Sequence, residues 1–247
     1  MTEHIENPDF YNGLRQKLDS LGKIHGFADE PVDITARTLT AKEAIGEPEK
    51  KDYPLLKGKE VMIEAQFMGG KGEAYTCMPG NFRGTIKDIL DLPLSNDLER
   101  ACLIAGLNAV MNELGLVERT VHCRDHDPEV CAGKLAQYVA ERFGSPRICF
   151  IGFLPAMINA LSGSFPIRVV DLDENNIGLV KYGVLIQGPA ETEASIKWAD
   201  IILATGSTAV NATMEKFVGG KPVVFYGVTV AGIAEIYDYE RFCPCSY

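Results

Sequence analysis

No run of 18 apolar residues occurs in the chain, so no segment reads as a membrane-spanning helix. Positive charge is also scarce: 24 Lys and Arg stand against 34 Asp and Glu, a formal charge of -10. That balance repels phosphate backbones and anionic lipid surfaces, which argues against nucleic acid and membranes as partners. The opening MTEHIENPDF is polar and acidic where a secretory signal would be basic and then apolar, and this points to a cytoplasmic protein. The motifs G-x-G-x-x-G, G-x-S-x-G, H-E-x-x-H and the Walker A loop are all missing. Neither a standard dinucleotide fingerprint nor standard hydrolase chemistry is indicated. No internal repeat recurs at a fixed period.

What the chain does have is globular composition, with 46% hydrophobic residues in 247, enough for one large α/β domain or two smaller ones. Two textures divide it. Residues 8–22 place Phe10, Leu14, Leu18 and Leu21 at helical spacing, with Gly22 as C-cap. Residues 32–40 and 60–68 alternate polar with apolar and read as strands of a half-exposed antiparallel sheet, the second broken by Gly69, Gly70 and Gly72. Residues 96–114 are apolar nearly all round, as in a helix covered on several sides. Beyond Pro128 the rhythm becomes helix, strand, helix, strand. The apolar runs 147–152, 167–173, 200–206 and 222–227 fit strands buried on both faces of a parallel sheet. The reading is a small α+β domain over 1–120 and a doubly wound parallel-sheet domain over 121–247. Ligands of such sheets lie beyond the carboxyl ends of the strands, here Gly152, Asp171, Asp173, Thr205 to Thr208 and Gly227 to Thr229.

Seven cysteines are an odd number, and in a reducing compartment they are free, metal-bound or catalytic more often than paired. The densest constellation is HCRDHDPEVC, with His122, Cys123, His126 and Cys131. Asp127 and Pro128 suit an N-cap and first helical position, so Cys131 falls in a first turn, where the helix dipole favours thiolate. Imidazole with thiolate suits a transition or heavy metal ion, although a solvated linker accounts for the same residues. Near the carboxyl terminus, Cys243-Pro244-Cys245 would close only a strained disulfide ring, whereas its sulfurs can converge on one ion. Cys102 and Cys149 read as core, Cys77 as a loop residue, and His4 and His25 as solvent-exposed.

Other polar positions carry weaker signals. Gly152 would let a ligand approach the following helix, and Asp171, 19 residues on, occupies the ribose-binding position of nucleotide folds. Thr205, Gly206, Ser207 and Thr208 offer hydroxyls and helix N-terminal amides, an anion seat or a plain helix cap. Asn108, on the apolar helix, must be hydrogen-bonded, to backbone or partner domain or, as the sharper alternative, to a ligand.

The segments AYTCMPGNFRG, GLNAVMNELG, CFIGFLPAM, ATGSTAVNATM and VVFYGVTVAG occur in an order that resembles a two-domain family of uncharacterised prokaryotic proteins, called "putative heavy-metal chelation" proteins. The resemblance implies an enolase-N-terminal-like domain followed by a Rossmann-like domain. It also implies a cleft site fed by Thr76, Asn81, Asn108, Gly152, Thr205 to Thr208, Gly227 and Thr229. The leading expectation is metal chelation, or binding of a metal chelate, at the cleft, with ligands from His122, Cys123, His126, Cys131, Cys243 and Cys245. The alternative is an enzyme acting on a small anionic or nucleoside-like substrate at Asp171 and Thr205 to Thr208, with Cys131 or Cys77 as nucleophile. A homo-oligomeric scaffold with inert cysteines is the third.

Overall fold

The computed structural model describes residues 8–27, 34–57 and 60–247. The amino-terminal residues that argued against a secretory signal, and His4, lie outside these. The first lobe contains α1 (Pro8–His25), β1 (Ile34–Leu39), α2 (Ala41–Ile45), β2 (Val61–Phe67), β3 (Gly70–Thr76), β4 (Asn81–Gly84), α3 (Ile86–Leu90) and α4 (Asp97–Glu113). Its antiparallel sheet has the order β3-β2-β1-β4. The second lobe runs through α5 (Asp127–Phe143), β5 (Ile148–Ile151), α6 (Pro155–Ser162), β6 (Ile167–Val170), β7 (Val180–Lys181) and β8 (Val184–Gln187). It continues with α7 (Thr192–Trp198), β9 (Ile201–Thr205), β10 (Val223–Tyr226), α8 (Ala231–Tyr237) and β11 (Arg241–Phe242). Its sheet order is β11-β10-β9-β5-β6-β8-β7, parallel throughout except for the β7–β8 pair.

The four strands read from apolar runs in the second half are β5, β6, β9 and β10, and β5 is buried at every position. From β5 the chain moves to β6 on one side and later to β9 on the other. This leaves a switch point at the carboxyl edge of the sheet. The strands missed are short or glycine-bearing, β3, β4, β7, β8 and β11, and the five-residue helices α2 and α3 were missed with them.

The second strand does end just before 69–72, but the glycines do not take the chain out of the sheet. Met68 (φ 53) and Gly69 form a two-residue hairpin turn, and the chain re-enters the sheet at Gly70. A Cβ on Gly70 would lie 2.4 Å from the Ala109 carbonyl oxygen, and one on Gly72 would lie 2.4 Å from that of Ala105. Both glycines therefore let α4 rest directly on β3. The sheet, α1, α3 and α8 surround α4, which explains why Ala101 to Met111 are all buried. Two helix ends also differ from expectation. The first helix continues past Gly22 to His25, with Gly26 (φ 75) after it, and α5 starts at Asp127 without a side-chain cap. Residues 206–217 form two short 3-10 turns rather than an α-helix, so Thr205 does not precede an aligned row of helical amides. Among the described residues no helix is long and apolar enough to cross a membrane.

Candidate functional site

The carboxyl ends of β5, β6 and β9 face the β2–β3 edge of the first lobe across a cavity of about 480 Å³. Gly152, at the end of β5, has φ +101, and a Cβ there would sit 2.9 Å from Thr205 Cγ2 and 3.0 Å from Tyr226 Oη. Only glycine allows this close passage. Asp171, after β6, accepts through Oδ1 from Asp173 N (2.9 Å) and Asn176 Nδ2 (3.1 Å), and burial raises its pKa. Thr205 Oγ1 accepts from Ser207 N (3.3 Å) and lies 3.1 Å from Ser207 Oγ, while Thr208 Oγ1 donates to Thr205 O (2.7 Å). The first lobe supplies Glu60, Tyr75, Thr76, Cys77 and Asp97. Burial first, then the charges of Asp171 and Asp173, push Glu60 up to about 7. The Cys77 thiol donates to Asp97 Oδ2 at 3.1 Å, and desolvation together with that carboxylate pushes it up to about 11. Cys77 is thus held as a thiol, the inactive form for nucleophilic attack.

Of the predicted ligand contacts, Thr76, Gly152, Asp171, Thr205, Ser207 and Thr208 line the cavity. The others serve the seam or lie off it. Asn108 Nδ2 lies 3.2 Å from the carbonyl oxygens of Glu73, Val228 and Thr229, and its Oδ1 accepts from Gly232 N at 2.8 Å. This buried amide ties α4 and β3 to the start of α8, so backbone, not ligand, takes its hydrogen bonds. Thr229 Oγ1 accepts from Tyr75 N (3.0 Å), and Gly206 is pressed against Val230. Gly227 O accepts from Arg241 Nε, and Asn81 lies exposed on the edge strand β4. Sequence reasoning missed Glu60, Tyr75, Asp97 and Phe217 in the cavity wall. They come from four separate elements with no shared motif.

The cysteines form a second region. Tyr247 N and O pair with Val121 O and N, both at 2.9 Å, and the Tyr247 hydroxyl donates to Asp127. Together with β11 on the edge of the sheet, these bonds fold the carboxyl-terminal segment back onto α5. Cys243 and Cys245 pack there against the apolar cluster that includes Cys131. Cys131 is within electrostatic reach of Cys243 and Cys245, and Cys123 is within reach of all three. Burial lifts the Cys123 and Cys131 thiols far above their ordinary value. The helix-dipole argument for a Cys131 thiolate therefore fails, because desolvation outweighs a fraction of a charge at a helix end.

The two histidines do not join the thiols. His122 is buried, with Nδ1 3.3 Å from Ala44 O and Nε2 2.8 Å from the Tyr75 hydroxyl. A carbonyl only accepts, so Nδ1 carries the proton and Nε2 accepts from Tyr75. Burial pushes the His122 pKa down to about 4, so the ring stays neutral. His126 is exposed, its Nδ1 2.8 Å from Glu49 Oε1. Among the described residues, no three His, Cys, Asp or Glu side chains converge closely enough to hold one metal ion. Of the six residues from which metal ligands were expected, the structure brings the four cysteines into one region and leaves His122 and His126 with other partners.

A family model described as "DUF364: Putative heavy-metal chelation" matches residues 135–239. No curated protein matches the chain. A solved structure of a DUF364-family protein of unknown function from Pyrococcus horikoshii is 13% identical, with a TM-score of 0.51. The match covers 89% of this chain and 79% of that one. A DUF364-family protein of unknown function from Desulfitobacterium hafniense DCB-2 is also 13% identical, with a TM-score of 0.50 and coverage of 92% and 83%. At that identity the likeness concerns the fold, a mixed α/β architecture of an antiparallel sheet followed by a mostly parallel one. The chain thus resembles the DUF364 family in sequence over residues 135–239 and in fold over most of its length.

Proposed function

We propose that this protein chelates a soft heavy-metal ion at the thiol cluster between α5 and the carboxyl-terminal segment, with Cys131 and Cys245 as the primary pair. The observation that carries this reading is the return of the carboxyl-terminal pair to Cys131, more than a hundred residues away in sequence: Cys243 and Cys245 pack against the apolar cluster that contains Cys131, within electrostatic reach of its thiol. With the domain boundary drawn at residue 120, Cys123, Cys131, Cys243 and Cys245 all belong to the second domain, and a cytoplasmic setting keeps them reduced. The family matched over residues 135–239, the stretch between the two thiol-bearing segments, is described as "Putative heavy-metal chelation". Thiolate is the ligand type that selects soft ions. Each ligating thiol gives up its proton as its sulfur–metal bond forms.

Titrating the reduced, metal-free protein with cadmium while following thiolate-to-metal absorption in the near ultraviolet tests the reading. The wild type should saturate, and Cys131→Ser with Cys245→Ser should lose the signal. Equal absorption in both proteins, or none in either, overturns it.

The cavity at the strand ends favours a second reading, a binding site for a small molecule. Its catalytic form lacks an activated nucleophile, since Cys77 is protonated and Cys131 lies outside the cavity.

A further inference from the structure

We infer that the cavity between the lobes binds an organic cation, an ammonium group on an apolar body, with the charge lying between Glu60 and Asp171. This rests on the small-molecule reading of the cavity and is independent of the metal reading, because none of Cys123, Cys131, Cys243 and Cys245 lines it.

The volume, about 480 Å³, is that of a pocket for a small organic molecule and far exceeds what a bare ion fills. Ile151, Phe153, Val170, Val210 and Phe217 make much of the wall apolar. Of the charged side chains in the wall, Glu60, Asp171 and Asp173 stand within electrostatic reach of one another, Asp97 is paired with Arg100, and Lys216 also lines the cavity. Glu60 carries the plainest signal. No hydrogen bond supports its carboxylate among the described residues, and the charges it feels are those of Asp171 and Asp173. Its raised pKa records a repulsion that a bound cation would relieve. Asp171 is better supported, through Asp173 N and Asn176 Nδ2, and so is fixed in place.

The chain itself shows what this wall attracts. The Lys181 ammonium stands 4.4 Å from the centroid of the Phe153 ring, within electrostatic reach of Asp171 and Asp173, while donating to Asn176 Oδ1 at 2.8 Å. A ligand ammonium inside the cavity would meet the same combination of ring and carboxylates. Among the described residues four carboxylates, Glu60, Asp97, Asp171 and Asp173, line the cavity with one ammonium, Lys216, a balance that tells against a small anionic substrate. Thr205 and Ser207 offer only neutral hydroxyls, and no row of helical amides stands behind them.

Isothermal titration calorimetry of the full reduced chain with tryptamine, its neutral isostere tryptophol, its acidic isostere indole-3-acetate, and adenosine separates the outcomes. Tryptamine should bind about tenfold or more tighter than tryptophol, and indole-3-acetate should not bind. Glu60→Gln and Asp171→Asn should each remove about tenfold of that preference, with circular dichroism unchanged. Equal binding of the three indoles, or a preference that survives both substitutions, overturns the proposal. Adenosine binding that depends on Asp171, without tryptamine binding, overturns the cation assignment and retains the cavity as a ligand site. Binding of none of the four overturns both.

Discussion

The cavity and the thiol cluster lie on the same seam yet are built in opposite ways. Strand ends line the cavity, where the sheet stops and side chains diverge, so space and partly exposed polar groups remain. The thiol cluster is packed among side chains: Cys131 belongs to an apolar core cluster with Cys243 and Cys245 against its margin, and Cys123 and Cys131 are buried while Cys243 and Cys245 are half-buried. Open geometry suits reversible binding of a molecule with its own shape. Closed geometry suits an ion that must displace protons and leave little water behind. Tyr75 is the partition between them: it lines the cavity, and its hydroxyl donates to His122, beside Cys123.

Substitutions at the seam should break this arrangement most strongly. Gly72→Ala would drive a Cβ to 2.4 Å from the Ala105 carbonyl oxygen and Ala109 N, a clash with backbone that costs about 3 kcal/mol or more. Urea unfolding measures that loss, and tryptamine affinity should fall with it because β3 carries Tyr75 and Thr76 into the cavity. Asn108→Ala would leave buried carbonyls and Gly232 N without their partner, at about 2–3 kcal/mol. Here tryptamine binding should weaken before the cadmium signal does, since the amide joins the lobes on the cavity side.

Glu73 supplies a pH test. It is fully buried opposite Glu64, and desolvation first, then that neighbour, raises its pKa to about 8, above its ordinary 4.5. Between those values the folded chain holds a proton that the unfolded chain has released. Its contribution is therefore complete below about pH 4.5 and is lost as pH rises through 8. Glu73→Gln should flatten the decline, leaving the variant about 2 kcal/mol more stable than wild type at pH 8. A parallel decline in both proteins would show that Glu73 is ionised throughout. The smallest effect sharpens the contrast between the regions. Cys131→Ser with Cys245→Ser should abolish the cadmium signal while changing tryptamine affinity less than about twofold, because substitutions without shared partners act independently.

The comparison also separates what could be read along the chain from what could not. The four buried strands β5, β6, β9 and β10 were legible because burial on both faces demands unbroken apolar runs. The strand β3 was hidden because its glycines answer to α4, a partner about 35 residues away. The cavity's sheet side followed from a topological rule that needs only strand order, hence Gly152, Asp171 and Thr205. Its opposite side did not: Glu60 and Asp97 are ordinary surface acids until the first lobe turns them into the cavity wall. His122 and Cys123 are neighbours in sequence, yet one serves Tyr75 and the other faces the carboxyl-terminal thiols, because successive side chains of an extended segment diverge.

Sequence alone determined the class of fold, the acidic balance that repels polyanions, and the presence of thiols in two distant places. Only the tertiary structure decided that the carboxyl-terminal pair returns to Cys131, that the histidines stand apart, and that Glu60 comes within reach of Asp171 and Asp173 in the wall of one cavity. The reason is the range of the forces involved. Hydrophobic periodicity is written into neighbouring residues, whereas desolvation and charge depend on which distant segments the packing brings within a few ångströms.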